Sequence, residues 1–118
     1  MDRGVRVGAS DTPSEIQKKL SRDPDLFLVA EIDGTLIGTV IGGFDGRRGF
    51  VYHLAVAAPF RRNGVAARLM QEVENRLRAR GCLRSYLLVR PDNLEAQAYY
   101  EKTGWNVLDD VLFAKDLT

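Results

Sequence analysis

The chain changes its hydrophobic period between Pro59 and Gly64, and this change constrains its fold more than any other feature. Before it, short apolar segments are separated by Asp33-Gly34 and Asp45-Gly46, a pattern typical of an antiparallel meander. After it, apolar residues recur at the spacing of an amphipathic helix, at Val65, Leu69, Met70, Val73 and Leu77. A meander followed by such a helix predicts an α/β (α+β) fold, with a mixed, mostly antiparallel central sheet and flanking helices.

Local signals divide the chain into elements in the order α-β-β-β-α-β-α-β-β. A capping-box pattern at Thr12–Glu15, Asn93 as a helix N-cap and Gly104 as a helix stop support the helix boundaries. The predicted bounds are a helix over Pro13–Ser21, strands over Leu26–Ile32, Thr35–Phe44 and Gly49–Val56, a helix from about Gly64 to Gly81, a strand over Leu83–Val89, a helix from Asn93 to Lys102, and a closing hairpin of Trp105–Leu108 and Val111–Lys115. Gly42-Gly43 predicts a bend or a close backbone approach. Because Leu83–Val89 has few polar residues, we expect it to be a central strand.

Composition narrows the function classes. The 118 residues suit a single domain over 1–118. Seventeen basic against sixteen acidic residues leave a formal charge of +1, which favours neither nucleic acid nor an anionic membrane as partner. With one cysteine, Cys82, and one histidine, His53, we expect no internal disulfide and no metal. Met1–Ser10 has no apolar signal core and Leu26–Ala30 is too short to span a bilayer, so a cytoplasmic location is the default.

An anion site is predicted where the third strand passes into the long helix. The first turn of a helix has unpaired N–H groups and a partial positive charge, which together bind anions. Gly64 has no Cβ, so a phosphate can approach the backbone closely, and Arg61 and Arg62 add positive charge. The alternative from these residues alone is a solvated arginine pair before an ordinary helix.

Two segments resemble the GNAT superfamily of acyl-CoA-dependent N-acetyltransferases, and the stretch from Leu26 to Val56 is most similar to small bacterial members. Arg61-x-x-Gly64-x-Ala66, after a strand ending in Leu54-Ala55-Val56, is similar to the acyl-CoA-binding motif of that family. The later segment from Asn93 through Tyr99-Tyr100 to Gly104-Trp105 resembles the family's last helix and the turn after it. The resemblance covers about residues 13–117 and implies a GNAT-like fold.

The resemblance also implies the cofactor contacts. Acetyl-CoA is the implied cosubstrate. The N–H groups of Arg62, Asn63, Gly64, Val65, Ala66 and Ala67 would hold the diphosphate of CoA. The main chain of Leu54, Ala55 and Val56 would pair with the pantetheine arm, which requires the third strand to part from Leu83–Val89. Asn93 would contact the cofactor near the end of that slot.

The implied reaction is direct transfer of an acetyl group to a primary amine. Tyr100 would protonate the leaving thiolate, and an N–H near Leu54 would stabilise the oxyanion. Some relatives carry a glutamate base where this chain has Leu88, and Gly49–Val56 contains no carboxylate either. The base therefore stays open between His53 and an ordered water. The residue-level alternatives are that Tyr100 and His53 are packing residues.

The front of the chain differs from the family pattern. Only about twelve residues precede the first predicted helix, and Val5–Val7 is the one short strand candidate there, so we expect the family's first strand and first helix to be absent. An uncovered sheet edge would follow, and a homodimer could cover it.

Three function hypotheses follow. The first is an acetyl-CoA-dependent N-acetyltransferase whose acceptor is a small-molecule or protein amine. The second is a CoA-binding module with little catalysis that acts through a protein partner, favoured by the missing carboxylate base. The third, an RNA-binding domain, lacks a basic run and an exposed aromatic pair at strand spacing.

Overall fold

The computed structural model describes the backbone of residues 13–118 and the side chains from Gln17 onward. The chain divides into two compact units, Met1–Leu88 and Val89–Thr118. The first contains helix α1 (Pro13–Arg22), strands β1 (Phe27–Ile32), β2 (Thr35–Phe44) and β3 (Gly49–Val56), helix α2 (Val65–Ala79) and strand β4 (Ser85–Leu87); the second contains helix α3 (Leu94–Lys102). Short 3₁₀ turns at Pro24–Leu26 and Ala58–Phe60 precede β1 and follow β3. A single domain over 1–118 stays a prediction.

The sheet of the first unit confirms the predicted meander. Its strand order is β1-β2-β3-β4, with antiparallel pairing except between β3 and β4, which are parallel. The β1–β2 turn has positive φ at Asp33 and Gly34, as a type I′ hairpin requires. In the β2–β3 turn, the Asp45 carboxylate accepts hydrogen bonds from the amides of Arg47 and Arg48, both at 2.8 Å. Both turns therefore form where the Asp-Gly pairs predict them.

Helix α2 packs on one face of the sheet through its apolar stripe. Leu69, Met70, Val73 and Leu77 are all buried. Glycines on β2 bring the helix close, because a Cβ at Gly42 would lie 2.7 Å from Val73 Cγ2. The predicted close approach at Gly42-Gly43 is thus confirmed, and it fixes α2 directly above β2.

A buried carboxylate joins the end of α1 to the end of α2. Asp23 is only 3% exposed, and it accepts hydrogen bonds from Lys19 Nζ at 3.0 Å and Arg80 Nη1 at 2.8 Å. Arg80 also pairs with Asp25. Burial on its own would raise the pKa of Asp23, but these hydrogen bonds outweigh it and hold the pKa below 3.8. The carboxylate stays charged and anchors the corner that leads into β1.

The second unit is built around α3. The Asn93 side chain accepts a hydrogen bond from the Ala96 amide at 3.1 Å, as an N-cap does. The helix ends in a Schellman arrangement, in which Gly104 has φ +103 and the Trp105 amide donates to the Tyr100 carbonyl at 2.9 Å. The predicted cap and stop of this helix are both confirmed.

Two predictions about strands are wrong. The strand expected over Leu83–Val89 is only three residues long, and it is the outer strand of the described sheet, not a central one. Leu83 and Leu88, which flank it, are 97% and 67% exposed, because no further strand pairs with this side of the described sheet. Residues 105–118 form no strand, so the closing hairpin is absent from this described segment. Phe113 is 89% exposed, and a two-stranded hairpin without a surface to bury against has little stability in water.

The first helix is confirmed and extends one residue beyond its predicted end, to Arg22. Thr12 of the capping box and the short strand candidate Val5–Val7 lie outside the described residues. Within the described part of the chain, no helix is long and apolar enough to cross a membrane.

Candidate functional site

The loop from Arg62 to Ala67 presents a run of backbone N–H groups at the start of α2. The first α2 amide with a backbone acceptor is that of Arg68, which donates to the Gly64 carbonyl at 3.1 Å. Among the described residues, no hydrogen-bond acceptor engages the six amides from Arg62 to Ala67. Gly64 occupies the N-cap position with φ +81 and no side chain to cap the helix. This helix start therefore has the donors and the dipole of an anion site.

The two arginines of the loop have different surroundings. Arg61 Nε donates to the carbonyl of Val56 at 3.0 Å, so its side chain fastens the loop to the end of β3. Arg62 is exposed, with φ +66, a backbone conformation that non-glycine residues seldom adopt. Unlike Arg61, Arg62 therefore has a guanidinium that forms no hydrogen bond with the described residues.

Strands β3 and β4 pair over three residues only. The pairs run from Gly49 with Ser85 to Val51 with Leu87, and β4 ends there. The second half of β3, from Tyr52 to Val56, therefore has no neighbouring strand on its β4 side within the described residues. The pairing thus ends at Val51 and leaves an open sheet edge beside Leu54, Ala55 and Val56 among the described residues, while the contact of this edge with a cofactor stays a prediction.

A β-bulge interrupts β3 at the start of this open edge. Thr39 pairs with Ala55 and Ile41 with Tyr52, so His53 and Leu54 together lie opposite Val40. His53 adopts φ +56, and its carbonyl accepts a hydrogen bond from Thr39 Oγ1 at 3.3 Å. A bulge takes backbone groups out of the regular ladder and bends the strand. His53 and Leu54 therefore lie outside the regular ladder, where the strand bends at the start of the open edge.

Tyr100 lies on α3 among aromatic neighbours of its own unit. Its ring centroid is 5.3 Å from that of Tyr99 and 6.2 Å from that of Trp105, both in edge-to-face arrangements. Burial raises the pKa of the Tyr100 hydroxyl above 10.0, and the nearby Tyr99 raises it further. The phenol is therefore protonated at neutral pH, although the same shift makes it a weaker acid.

The first unit brings together most of the predicted site residues along one continuous path. That path runs from the bulge through the open edge to the helix start, at His53, Leu54, Ala55, Val56, Arg61, Arg62, Asn63, Gly64, Val65, Ala66 and Ala67. Asn93 and Tyr100 belong to the second unit, where Asn93 is the N-cap of α3 and Tyr100 is the seventh residue of the helix itself. In the described chain, no group of three or more His, Cys, Asp or Glu side chains could hold a metal ion.

Sequence reasoning missed three features of this region. It did not foresee that Arg61 Nε donates to the Val56 carbonyl, and the contact of Arg61 with the anion stays a prediction. It placed His53 in a regular strand, because nothing in the neighbouring sequence indicates a bulge. It also missed the Asp23–Arg80 pair, whose members lie 57 residues apart. The positive φ values of His53 and Arg62 have no sequence signal comparable to an Asn-Gly or Asp-Gly pair.

Comparison with known proteins gives one family. The model of the acetyltransferase (GNAT) family matches residues 5–105. An acetyltransferase of Pectobacterium atrosepticum is 44% identical over 108 residues, which are 92% of this chain and 77% of that protein.

Solved structures share the fold. The crystal structure of Ard1 from Thermoplasma volcanium superimposes with a TM-score of 0.76 at 30% identity, covering 82% of this chain and 66% of that one. That of the PaiA N-acetyltransferase from Thermoplasma acidophilum in complex with coenzyme A gives 0.78 at 22% identity, covering 86% of this chain and 67% of that one.

Proposed function

The chain belongs to the GNAT family and is an acetyltransferase, and from this premise we propose that it transfers the acetyl group of acetyl-CoA to a primary amine. One observation supports acetyl-CoA as the acetyl donor: six consecutive backbone amides, from Arg62 to Ala67, have no hydrogen-bond acceptor among the described residues. A diphosphate supplies several anionic oxygens to such a row of donors. The exposed Arg62 beside them adds a cation for the same group.

The open edge of β3 suits the rest of the cosubstrate. An extended pantetheine arm carries amide groups that can pair with the main chain of Leu54, Ala55 and Val56 as an added strand would. The Arg61 side chain already occupies the Val56 carbonyl, so we assign the pairing mainly to Leu54 and Ala55. In this arrangement the thioester lies near the bulge at His53. Asn93 is proposed as a further cofactor contact on the resemblance alone.

Each catalytic step then has a candidate group. The neutral amine attacks the thioester carbonyl carbon, and the C–N bond forms as the carbonyl oxygen takes up negative charge. An amide at the bulge, proposed as that of Leu54, stabilises this oxyanion. The C–S bond breaks, the Tyr100 hydroxyl gives its proton to the thiolate, and the amine loses a proton to a base.

The base is His53 or an ordered water, and one substitution separates them. His53 has φ +56, which asparagine tolerates better than alanine does, so His53→Asn removes the imidazole with little added backbone strain. If His53 is the base, the dependence of kcat on pH should change on the acidic side in His53→Asn. If the variant and the unaltered protein have the same pH dependence, the role is assigned to water. Thr39→Val is the matched control, because it removes only the hydrogen bond to the His53 carbonyl.

Two measurements test the proposal. Calorimetry with purified protein should detect binding of acetyl-CoA, and a thiol-release assay with a panel of primary amines should detect turnover. Absence of acetyl-CoA binding would refute the assignment of the helix start. Binding without turnover of any amine would favour the second candidate, a CoA-binding module acting through a partner, which the absence of a carboxylate in Gly49–Val56 supports.

A homodimer and a cytoplasmic location remain part of the proposal. Strand β1 is the outer strand of the sheet in the described residues, and Val29 on it is 48% exposed. A second copy could cover this edge. Light scattering after size exclusion measures the dimer directly, and a monomer at micromolar concentration would contradict it.

A further inference from the structure

We infer that the acceptor is a peptide whose amine is followed, within about five residues, by an acidic side chain. This inference rests on the proposed acetyl transfer and adds the chemical class of its acceptor. It comes from an open depression of about 560 Å³ in the first unit, on the face of the sheet opposite α2. The residues that matter in it are Lys19, Arg22, Phe50 and Tyr52.

The depression begins at the proposed transfer point. Tyr52 lines it, and the Tyr52 ring centroid lies 5.4 Å from that of His53 at the bulge. If the pantetheine arm occupies the edge from Val56 to Leu54, an amine can reach the thioester from the Tyr52 side. The depression is thus where the body of the acceptor would lie.

Aromatic side chains continue from Tyr52 towards the start of β3. Phe50 is on the same face of the strand, and it lies 5.7 Å from the ring of Tyr86 on β4. Tyr52 and Phe50 are 40% and 46% exposed, which is high for side chains of this size on a sheet. They offer an apolar surface to an elongated ligand.

Arginines close the far end of this surface. The guanidinium carbons of Arg48 and Arg84 lie 5.8 and 5.4 Å from the Tyr86 ring centroid. Neither arginine forms an ion pair with any described carboxylate. We call Tyr52, Phe50, Tyr86, Arg48 and Arg84 the basic–aromatic strip. Its two arginines are free to bind an anionic group of a ligand.

The described carboxylates near the strip form no ion pair with its arginines, although backbone hydrogen bonds and then the charge of Arg48 lower the pKa of the nearby Asp45 carboxyl. Asp45 accepts hydrogen bonds from the backbone amides of its own turn, not from a guanidinium. Asp23 is held by Lys19 and Arg80, and Arg22 lies 3.5 Å from it. In the lining of the depression, Lys19 and Arg22 are matched in number by Asp23 and Asp45. The excess positive charge comes from Arg48 and Arg84 at the far end, where it favours an anionic group.

The length of the strip argues for a peptide. Arg48 immediately precedes β3 and His53 is the fifth residue of that strand, so at about 3.3 Å per residue the two lie at most roughly 16 Å apart along the chain. A single amino acid is too short to place its amine at the bulge and a carboxylate at the arginines. An extended peptide of four or five residues spans that distance.

The test compares peptides that share the first two residues and differ only in the next three, which are all Glu, all Gln or all Lys. We expect kcat/KM for the Glu peptide to exceed that for the Gln peptide by about tenfold or more, the size of one charge-assisted contact. The Lys peptide should be the poorest. Arg48→Gln combined with Arg84→Gln should bring the Glu-to-Gln ratio close to one.

Arg78→Gln is the control, since it removes the same charge from the exposed face of α2. This variant should keep the full ratio. Three results would overturn the inference. They are no acetylation of the Glu peptide, a kcat/KM for the Glu peptide no higher than that for the Gln peptide, and a kcat/KM for free glutamate equal to that for the Glu peptide. If acetyl-CoA binds in calorimetry and another amine is acetylated, the proposed function stands without it; if acetyl-CoA does not bind, the proposed function itself fails.

Discussion

Tyr100 allows a direct test of proton donation to the leaving thiolate. Its hydroxyl is in a partly buried aromatic cluster that raises its pKa, so it holds its proton throughout the neutral range. We expect Tyr100→Phe to lower kcat by about a hundredfold or more, the usual contribution of a general acid, and to leave acetyl-CoA affinity unchanged. Thiol release and calorimetry measure the two quantities.

Tyr99→Phe is the matched control for that substitution. Tyr99 precedes Tyr100 on the same helix and points about 100° away around its axis. Loss of this hydroxyl should leave kcat within a few-fold of the unaltered protein. Equal activity losses in both variants would indicate a packing role for the pair and would remove Tyr100 from the reaction.

The start of α2 makes a prediction about cofactor binding. Gly64 and Gly34 have φ values of +81 and +80, and an added Cβ would meet nothing within 4 Å at either position. Gly64→Glu and Gly34→Glu should therefore cost similar stability, about 1–2 kcal/mol each, because both force a side chain into the left-handed region. Only Gly64→Glu places a carboxylate among the free amides, and it should weaken acetyl-CoA binding more than tenfold in calorimetry. Equal affinities of the two variants would contradict the cradle.

The open half of β3 should be detectable by amide exchange. The Gly49–Val51 segment already pairs with β4, whereas the segment from His53 to Val56 has no strand on that side among the described residues. Added CoA should slow hydrogen exchange in the His53–Val56 segment and leave Gly49–Val51 nearly unchanged. Protection confined to the helix start would show that the pantetheine arm lies elsewhere.

The corner held by Asp23 links three separate segments of the first unit. Lys19 on α1 and Arg80 after α2 both donate to it, and Arg76 on α2 donates to the Asp25 carbonyl at 2.9 Å. Replacing Asp23 leaves two cations without their shared partner. We expect Asp23→Asn to lower the free energy of unfolding at pH 7 by about 2–4 kcal/mol, measured by urea titration.

The pH dependence of that stability has a defined sign. The pKa of Asp23 is lower in the folded protein than the 3.8 of an unperturbed carboxyl, so its contribution is complete above about pH 4 and is lost as the pH falls through the folded pKa. When the free energy of unfolding is plotted against pH, Asp23→Asn should remove this part of the decrease at acidic pH, which we call the acid limb. Asp92→Asn, on a carboxylate that is 79% exposed, is the control and should leave the limb unchanged. An acid limb that is the same in all three proteins would contradict the role of Asp23.

The sequence by itself determined the types of nearly all the elements from Pro13 to Gly104, and the anion-binding character of the α2 start. Both depend on short-range information. Hydrophobic period, Asp-Gly turns and a capping asparagine act within a few residues, and the unpaired amides of a helix start follow from the hydrogen-bond geometry of any helix.

The tertiary structure alone decided four features: the length of β4, the bulge at His53, the hydrogen bond from Arg61 to the Val56 carbonyl and the absence of strands after Gly104. Each depends on which groups from distant parts of the chain meet. The apolar alternation of residues 105–117 gives strand propensity, but a strand also needs a neighbour with free hydrogen-bonding groups, and propensity cannot supply that neighbour. The partners of Asp23 follow the same rule, since a buried carboxylate is stable only where the fold delivers cations from 4 and 57 residues away.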